Sequence, residues 1–339
     1  MLLASFVFLL VIEAASLLWV TPQVLREVNG YDDPSGFFVI APFPIKVMDV
    51  TGMMPVYLFI FFAGSIMASL LWFFKDAKVV ARGAQRAVAD KMDAPDRSQL
   101  GLTFQIFVIL VLASVAWYVL IQGAGVTPNT PDFGSEPVWQ QAYGFAKASV
   151  YEELISRVLF IGIPMMLVAA TRHRKGWWKL LGGAKGDLEY MDWALVAISG
   201  AIFAVAHAPG WDWYKVPPTV IAGLGFGYLF AKKGLGSAIM LHFAVDYMGM
   251  PEIVFNLKGI GSAIAILELV FLAMGVYVAM RYMLAVGEVA GHPELAAAPS
   301  PTTIVPEGRF VCMVCGGMDA RYSEGTLQCL NCGQIYKFL

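Results

Sequence analysis

Residues 102–122 read LTFQIFVILVLASVAWYVLIQ, a stretch without a single Asp, Glu, Lys or Arg. A helix rises about 1.5 Å per residue, so this stretch is long enough to cross the ~30 Å hydrocarbon core of a bilayer. Working outward, similar stretches organise the rest of the chain. Leu2–Val20 and Met53–Phe74 precede it. Val138–Ala170, Met191–His207, Val216–Ala231, Leu235–Met250 and Ile260–Leu284 follow. Leu2–Val20 has no basic leader and no small-residue cleavage site, so it is expected to be a span and not a cleaved signal. Val216–Ala231 and Leu235–Met250 are short, as suits helices packed inside a bundle. Val138–Ala170 carries Lys147, Glu152, Glu153 and Arg157 and is expected to be one long or kinked helix. The predicted fold is an all-α polytopic membrane protein with about eight transmembrane helices.

Composition agrees. The chain is 58% hydrophobic and only 14% charged, with a mean hydropathy of +0.67. A soluble domain carries about 25% charge. The net charge of −2 gives no electrostatic footprint for nucleic acid. Basic residues mark one side of the membrane. Lys75–Leu100 holds six Lys/Arg, Arg172–Glu189 holds five, and Lys232-Lys233 joins the sixth and seventh spans. In an eight-span chain these segments all fall on one side, and the positive-inside rule predicts cytoplasmic N- and C-termini.

All four cysteines lie near the C-terminus, as Cys312-x2-Cys315 and Cys329-x2-Cys332. Two such pairs complete a tetrahedral four-sulfur shell, so a structural Zn2+ in a small β-rich ribbon is expected. So short a segment buries too little apolar surface to fold unaided, and the metal would supply the folding energy. Four thiolates leave no open position for catalysis. The ribbon's few basic residues, Arg309, Arg321 and Lys337, argue for a soluble protein partner over nucleic acid. Pro293, Pro299, Pro301 and Pro306 mark an Ala/Pro-rich linker before it. The expected organisation is N-terminal helices with a basic loop over 1–100, a membrane core over 101–286, a linker over 287–308 and the ribbon over 309–339.

Ionisable groups at bilayer depth are costly and mark function. Three clusters qualify. Glu152 and Glu153 precede Arg157; Glu153 and Arg157 are four apart on one helix face, and Glu152 points about 100° away. One carboxylate can then be held by arginine while the other faces a cavity as a general base. Phe203-x3-His207 ends the fifth span, and His242-x3-Asp246 shares one face of the seventh. Glu13 and Glu268 lie in spans without a motif partner and are expected to face other helices or an interface.

These three clusters, in this order on separate spans, resemble the CPBP family of intramembrane proteases. That family includes the CAAX prenyl endopeptidases and the bacterial Abi-like and bacteriocin-immunity proteins. The resemblance covers roughly residues 100–285. It implies an intramembrane endopeptidase acting on a peptide or membrane-anchored protein in the bilayer of a prokaryote. Glu152 would activate water with help from His207. His242 and Asp246 would assist at the oxyanion, and Glu153 and Arg157 would hold the acid pair. Asp246 departs from the asparagine of the CAAX endopeptidase; an ionised Asp accepts hydrogen bonds but does not donate them. Glu152, His207, His242 and Asp246 are also competent metal ligands in type, although metal-independent water activation is the preferred expectation. The competing reading is a non-catalytic scaffold or immunity-type protein that recruits a partner through the ribbon. A transporter is a third reading, against which stands the lack of an internal repeat.

Overall fold

The structure is a computed structural model. It describes residues 2–90, 98–173, 176–183, 188–256 and 259–291, together with strand residues 304–305, 320–323, 326–329 and 335–337. Eight principal helices follow in chain order: α1 (Leu2–Glu27), α2 (Met54–Asp90), α3 (Gln99–Gly123), α4 (Val138–Thr171), α5 (Tyr190–Ala206), α6 (Val216–Lys233), α7 (Leu235–Asp246) and α8 (Ile260–Gly291). Six helical stretches are long and apolar enough to cross a membrane: Leu3–Glu27, Met54–Phe74, Gln99–Gly123, Val138–Thr171, Tyr190–Trp211 and Ile260–Leu284. The protein is thus an integral membrane protein built of α-helices. The two remaining expected spans, α6 and α7, fall short of a full crossing and are joined by a tight turn at Gly234, whose φ of +95° suits only glycine.

The position of α7 explains its composition. Every residue from Ser237 to Ala244 is buried, so this helix is the axis of the bundle, enclosed on all sides. Phe6, Leu9 and Leu10 of α1, Phe59 and Phe62 of α2, and Phe107 of α3 belong to the same continuous core. The outward faces keep large apolar side chains such as Trp19, Leu71, Val119 and Leu269, as a lipid-facing surface requires.

Three differences from the sequence reading bear on the site. The basic segment after Phe74 is not all loop: α2 continues to Asp90, in a stretch rich in the good helix formers Ala, Lys and Arg. Between α1 and α2 the chain forms an antiparallel hairpin of β1 (Asp33–Ile40) and β2 (Pro44–Val50), with Phe38 opposite Lys46 and Val39 opposite Ile45. The membrane body is therefore not wholly helical. Finally, α4 is π-helical over Ala148–Glu152 and Leu154–Gly162. Pro164 lies just beyond, lacks an N–H, and crowds the carbonyl four residues earlier. Wider turns before it relieve that clash, and such turns recur at functional sites.

Helices α5 and α6 approach closely at Gly200 and Gly223. A β-carbon on Gly223 would lie 2.8 Å from Gly200 Cα, a backbone atom that has nowhere to go. Gly223→Ala is expected to cost about 1–3 kcal/mol through overpacking, read as a lower midpoint of thermal unfolding in detergent. An unchanged midpoint would show that the two helices can separate freely.

The chain divides into two compact units, Met1–Val278 and Ala279–Leu339. Within the second, four short strands pair antiparallel in the order β3 (Ile304–Val305), β4 (Ala320–Ser323), β5 (Thr326–Cys329) and β6 (Ile335–Lys337). Cys329 closes β5 opposite Ala320. Cys312, Cys315 and Cys332 lie outside the described residues.

Candidate active site

The six ionisable residues singled out in the spans converge. Glu153 and Arg157 are both fully buried, and Arg157 Nε donates to Glu153 Oε2 at 3.1 Å. Arg157 Nη1 donates to Ser199 Oγ at 2.7 Å, which in turn donates to the Ser156 carbonyl at 2.6 Å. The guanidinium also lies over the rings of Phe203 and Phe226, 4.7 and 5.6 Å from their centroids. Its second terminal nitrogen, Nη2, is buried without a hydrogen-bond partner among the described residues, so the two aromatic faces carry much of its solvation.

Glu153 reaches across to α7, where its Oε1 meets His242 Nδ1 at 2.9 Å. On the other side of the same ring, His242 Nε2 lies 3.2 Å from Asp246 Oδ2. An imidazole donates from both nitrogens only as imidazolium; with one N–H, the second contact needs a protonated carboxyl. In either case both ring nitrogens are engaged, and the ring is stacked on Phe226 at 4.8 Å. His242 is therefore fixed on every side.

Glu152 is placed differently. Its side chain is 22% exposed and faces a cavity of about 760 Å³ among the helices. Its Oε2 lies 3.8 Å from His207 Nε2 and 4.0 Å from His242 Nε2. These separations exceed hydrogen-bond distance, and a water can bridge polar groups so placed. His207 Nδ1 sits 2.8 Å from the Phe203 carbonyl, which can only accept. Nδ1 is therefore the protonated nitrogen, and in the neutral ring Nε2 presents a lone pair toward Glu152. Phe203 thus orients His207 through its carbonyl and packs its own ring edge-on against the imidazole at 4.7 Å. Asp246 and His242 line the same cavity. Among the described residues, no three His, Cys, Asp or Glu side chains converge as a metal site.

Several groups at the cavity belong to none of the three sequence clusters. Lys147 and Lys215 both line it. Lys147 Nζ is held by Asp33 Oδ2 at 2.5 Å, Ser35 Oγ at 2.6 Å and the Gly36 carbonyl at 2.9 Å. Tyr151 Oη accepts from Phe38 N–H at 3.1 Å and donates to the Phe38 carbonyl at 2.8 Å. One face of α4 thus rivets the outer edge of β1, so that Asp33, Ser35 and Phe38 become part of the cavity wall. The two unassigned acids separate. Glu13 is fully buried in the bundle with neither oxygen paired among the described residues, whereas Glu268 is exposed on α8.

Burial pushes the Asp33 carboxyl up, but the hydrogen bonds from Lys147, Ser35 and Tyr143 and the Lys147 charge carry it below its ordinary value. A depressed acid contributes stability above its unfolded value and loses it as pH falls through the lower native value. The hairpin is therefore expected to stay docked through the usual carboxylate range and to loosen only below it. Asp33→Asn should loosen it already at neutral pH. Hydrogen exchange of amides 35–50 reads both effects; identical protection in the variant would show that the latch does not hold the hairpin.

Residues 134–248 match the family model described as type II CAAX prenyl endopeptidase Rce1-like. All six residues of the cluster fall inside that segment. No curated protein and no solved structure matches the chain.

Proposed function

Since residues 134–248 carry an Rce1-like domain, the chain belongs at the level of that domain to the CPBP-type intramembrane proteases, and on that premise we propose that it hydrolyses a peptide bond within the helix cavity, with Glu152 as the general base. The observation that carries this reading is the disposition of the two carboxylates. Glu153 is consumed by Arg157 and His242, while Glu152 faces the cavity opposite the free nitrogen of His207.

A substrate water between Glu152 and His207 would give one hydrogen to His207 Nε2 as a hydrogen bond and the other to Glu152 as a proton. The resulting hydroxide attacks the scissile carbonyl carbon. Glu152 then returns the proton to the amide nitrogen as the C–N bond breaks, leaving a carboxylic acid and an amine, between which a proton passes to give carboxylate and ammonium. His242, clamped by Glu153 through Nδ1, would turn its Nε2–H from Asp246 to the developing oxyanion. Asp246 serves that histidine as an acceptor and does not itself meet the negative charge while ionised. Glu153 and Arg157 position the cluster and touch no substrate.

The reading takes water activation to need no metal, with Glu152 and His207 as the acting pair. In the C-terminal unit the four cysteines are the right donors for a structural Zn2+, with Cys329 at a strand end where a knuckle turn can follow. That ribbon would recruit a soluble partner and add no chemistry to the membrane site. The basic segments on one side of the spans support cytoplasmic N- and C-termini.

The test is cleavage of peptides by the purified protein beside His207→Ala, with metal content measured for the full chain and for a chain ending at Gly287. Cleavage that is lost in the variant, with one zinc that disappears with the tail, is the expected result. Equal cleavage by both proteins would sink the site assignment, and a metal retained after truncation would sink the metal-free reading.

A further inference from the structure

The β1–β2 hairpin descends alongside α4, and its contacts pass down the helix in step. The Gly36 carbonyl meets Lys147, Phe38 meets Tyr151, and Ile40 is buried in one cluster with Ile155 and Ala206. From Gly36 to Ile40 a strand advances about 13 Å, and from Lys147 to Ile155 a helix advances about 12 Å, so the two run side by side. Ile155 lies near the middle of the apolar stretch Val138–Thr171. The hairpin tip therefore sits at bilayer depth, one helical turn past the level of Glu152. Its exposed side chains fit that depth: Phe43, Ile45 and Val47 are large and apolar.

The two edges of this small sheet differ. On β1 the outer edge is closed by α4, since Tyr151 Oη takes both the N–H and the carbonyl of Phe38. Those groups therefore point away from β2. Phe38 sits opposite Lys46. An antiparallel pair whose first member points its groups outward is of the non-hydrogen-bonded kind, so the Lys46 N–H and carbonyl point to the far edge of β2. Among the described residues nothing bonds to them. Pro44, two positions along, shares that phase and has no N–H to leave unpaired, as suits a proline at a sheet edge. In the hydrocarbon region no water satisfies such an edge, and an open one is costly there.

An acyl chain offers this edge no hydrogen bond, and a helix has already spent its backbone groups on itself. An extended peptide offers both a donor and an acceptor at the right spacing. The sheet that carries the edge also forms part of the cavity wall, through Pro34, Ser35 and Phe38. A chain laid along β2 is thus beside the cavity that Glu152 faces. We propose that the free edge of β2 receives an extended segment of a membrane-anchored substrate as an added strand, a short way along the chain from the bond to be cut. The proposal rests on the peptidase reading of the cavity and gives the hairpin a docking role apart from the chemistry at Glu152.

The experiment uses the full-length protein in detergent and two probes. One is a fluorescein-labelled peptide of alternating Val and Thr between lysines; the other is its twin with the central backbone nitrogens methylated. Binding is read by fluorescence anisotropy. Lys46→Pro removes the outward N–H and no ladder bond. Lys46→Ala keeps that N–H and removes the side chain that pairs with Asp49. Wild type and Lys46→Ala should bind the first peptide alike, and Lys46→Pro about fivefold or more weakly. The methylated twin should bind wild type no better than the parent peptide binds Lys46→Pro. Equal binding of the two peptides to wild type would overturn the proposal whether or not Lys46→Pro folds. So would full affinity in Lys46→Pro, or an equal loss in Lys46→Ala, which assigns the contact to the side chain. Light scattering in the same detergent tests the other occupant: a wild-type dimer that becomes a monomer in Lys46→Pro gives the edge to a second copy of the chain and overturns the proposal. For a peptide that is cut, Lys46→Pro should raise KM with kcat nearly unchanged, and an unchanged KM would count against the docking strand. Binding that needs the Lys46 N–H upholds the proposal even if no peptide is cut, a result that would weigh against the peptidase reading alone.

Discussion

Replacing Glu152 by Gln is expected to lower the peptidase rate by roughly 10²–10⁴-fold, the range a positioned general base contributes. Gln has the same shape and can still accept a hydrogen bond from water, so the fold and the approach of substrate should persist. It cannot take a proton, so the water is no longer turned into hydroxide. The loss should fall on kcat, and the thermal midpoint should stay near that of wild type because Glu152 makes no hydrogen bond among the described residues, its nearest basic neighbours being the histidines at 3.8 and 4.0 Å. Glu153→Gln gives the informative contrast. That carboxylate holds Arg157 and His242 at 3.1 and 2.9 Å, so its loss should cost stability as well as rate. A Glu152→Gln protein that retains near wild-type kcat would remove this residue from the chemistry and with it the proposed mechanism.

The largest expected effect on stability comes from Arg157→Met. Arg157 and Glu153 are both sealed from solvent, and removing one partner of a buried pair costs about 3–5 kcal/mol because the other charge is stranded. The arginine also leaves Ser199 without its donor and vacates the space between Phe203 and Phe226. The double replacement Arg157→Met/Glu153→Gln should recover part of the loss, since no lone charge then remains. Thermal unfolding of the four proteins in one detergent gives the coupling directly. A single Arg157→Met variant that melts with wild type would mean the pair is solvated in a way its burial does not suggest.

Much of this site could be anticipated from spacing alone. The pairs Glu153–Arg157 and His242–Asp246 are each four residues apart, and a helix of any kind keeps such neighbours on adjoining turns. The bilayer spans were readable because lipid tolerates no uncapped backbone and few charges, which leaves long uncharged runs in the sequence. Even the shortness of α6 and α7 was visible. The hairpin was not, because Asp33–Val50 mixes Pro, Gly and exposed apolar residues without a clean alternation. Nor was the continuation of α2 to Asp90, since basic content alone does not tell a charged helix from a loop.

The sequence by itself determined that this chain lives in a membrane and which polar residues the membrane must shelter. Those follow from transfer free energies, which act on each residue independently of its distant neighbours. Only the tertiary structure decided how the sheltered residues divide their work. Glu152 and Glu153 are chemically identical neighbours, and what separates them is that Arg157 and His242 close around one and a cavity opens before the other. The same holds for the two lysines. Lys147 meets Asp33 across 114 residues of chain, and Lys215 meets no carboxylate within ion-pair distance among the described residues. Pairing at that sequence distance depends on how the helices pack, and no local pattern encodes it.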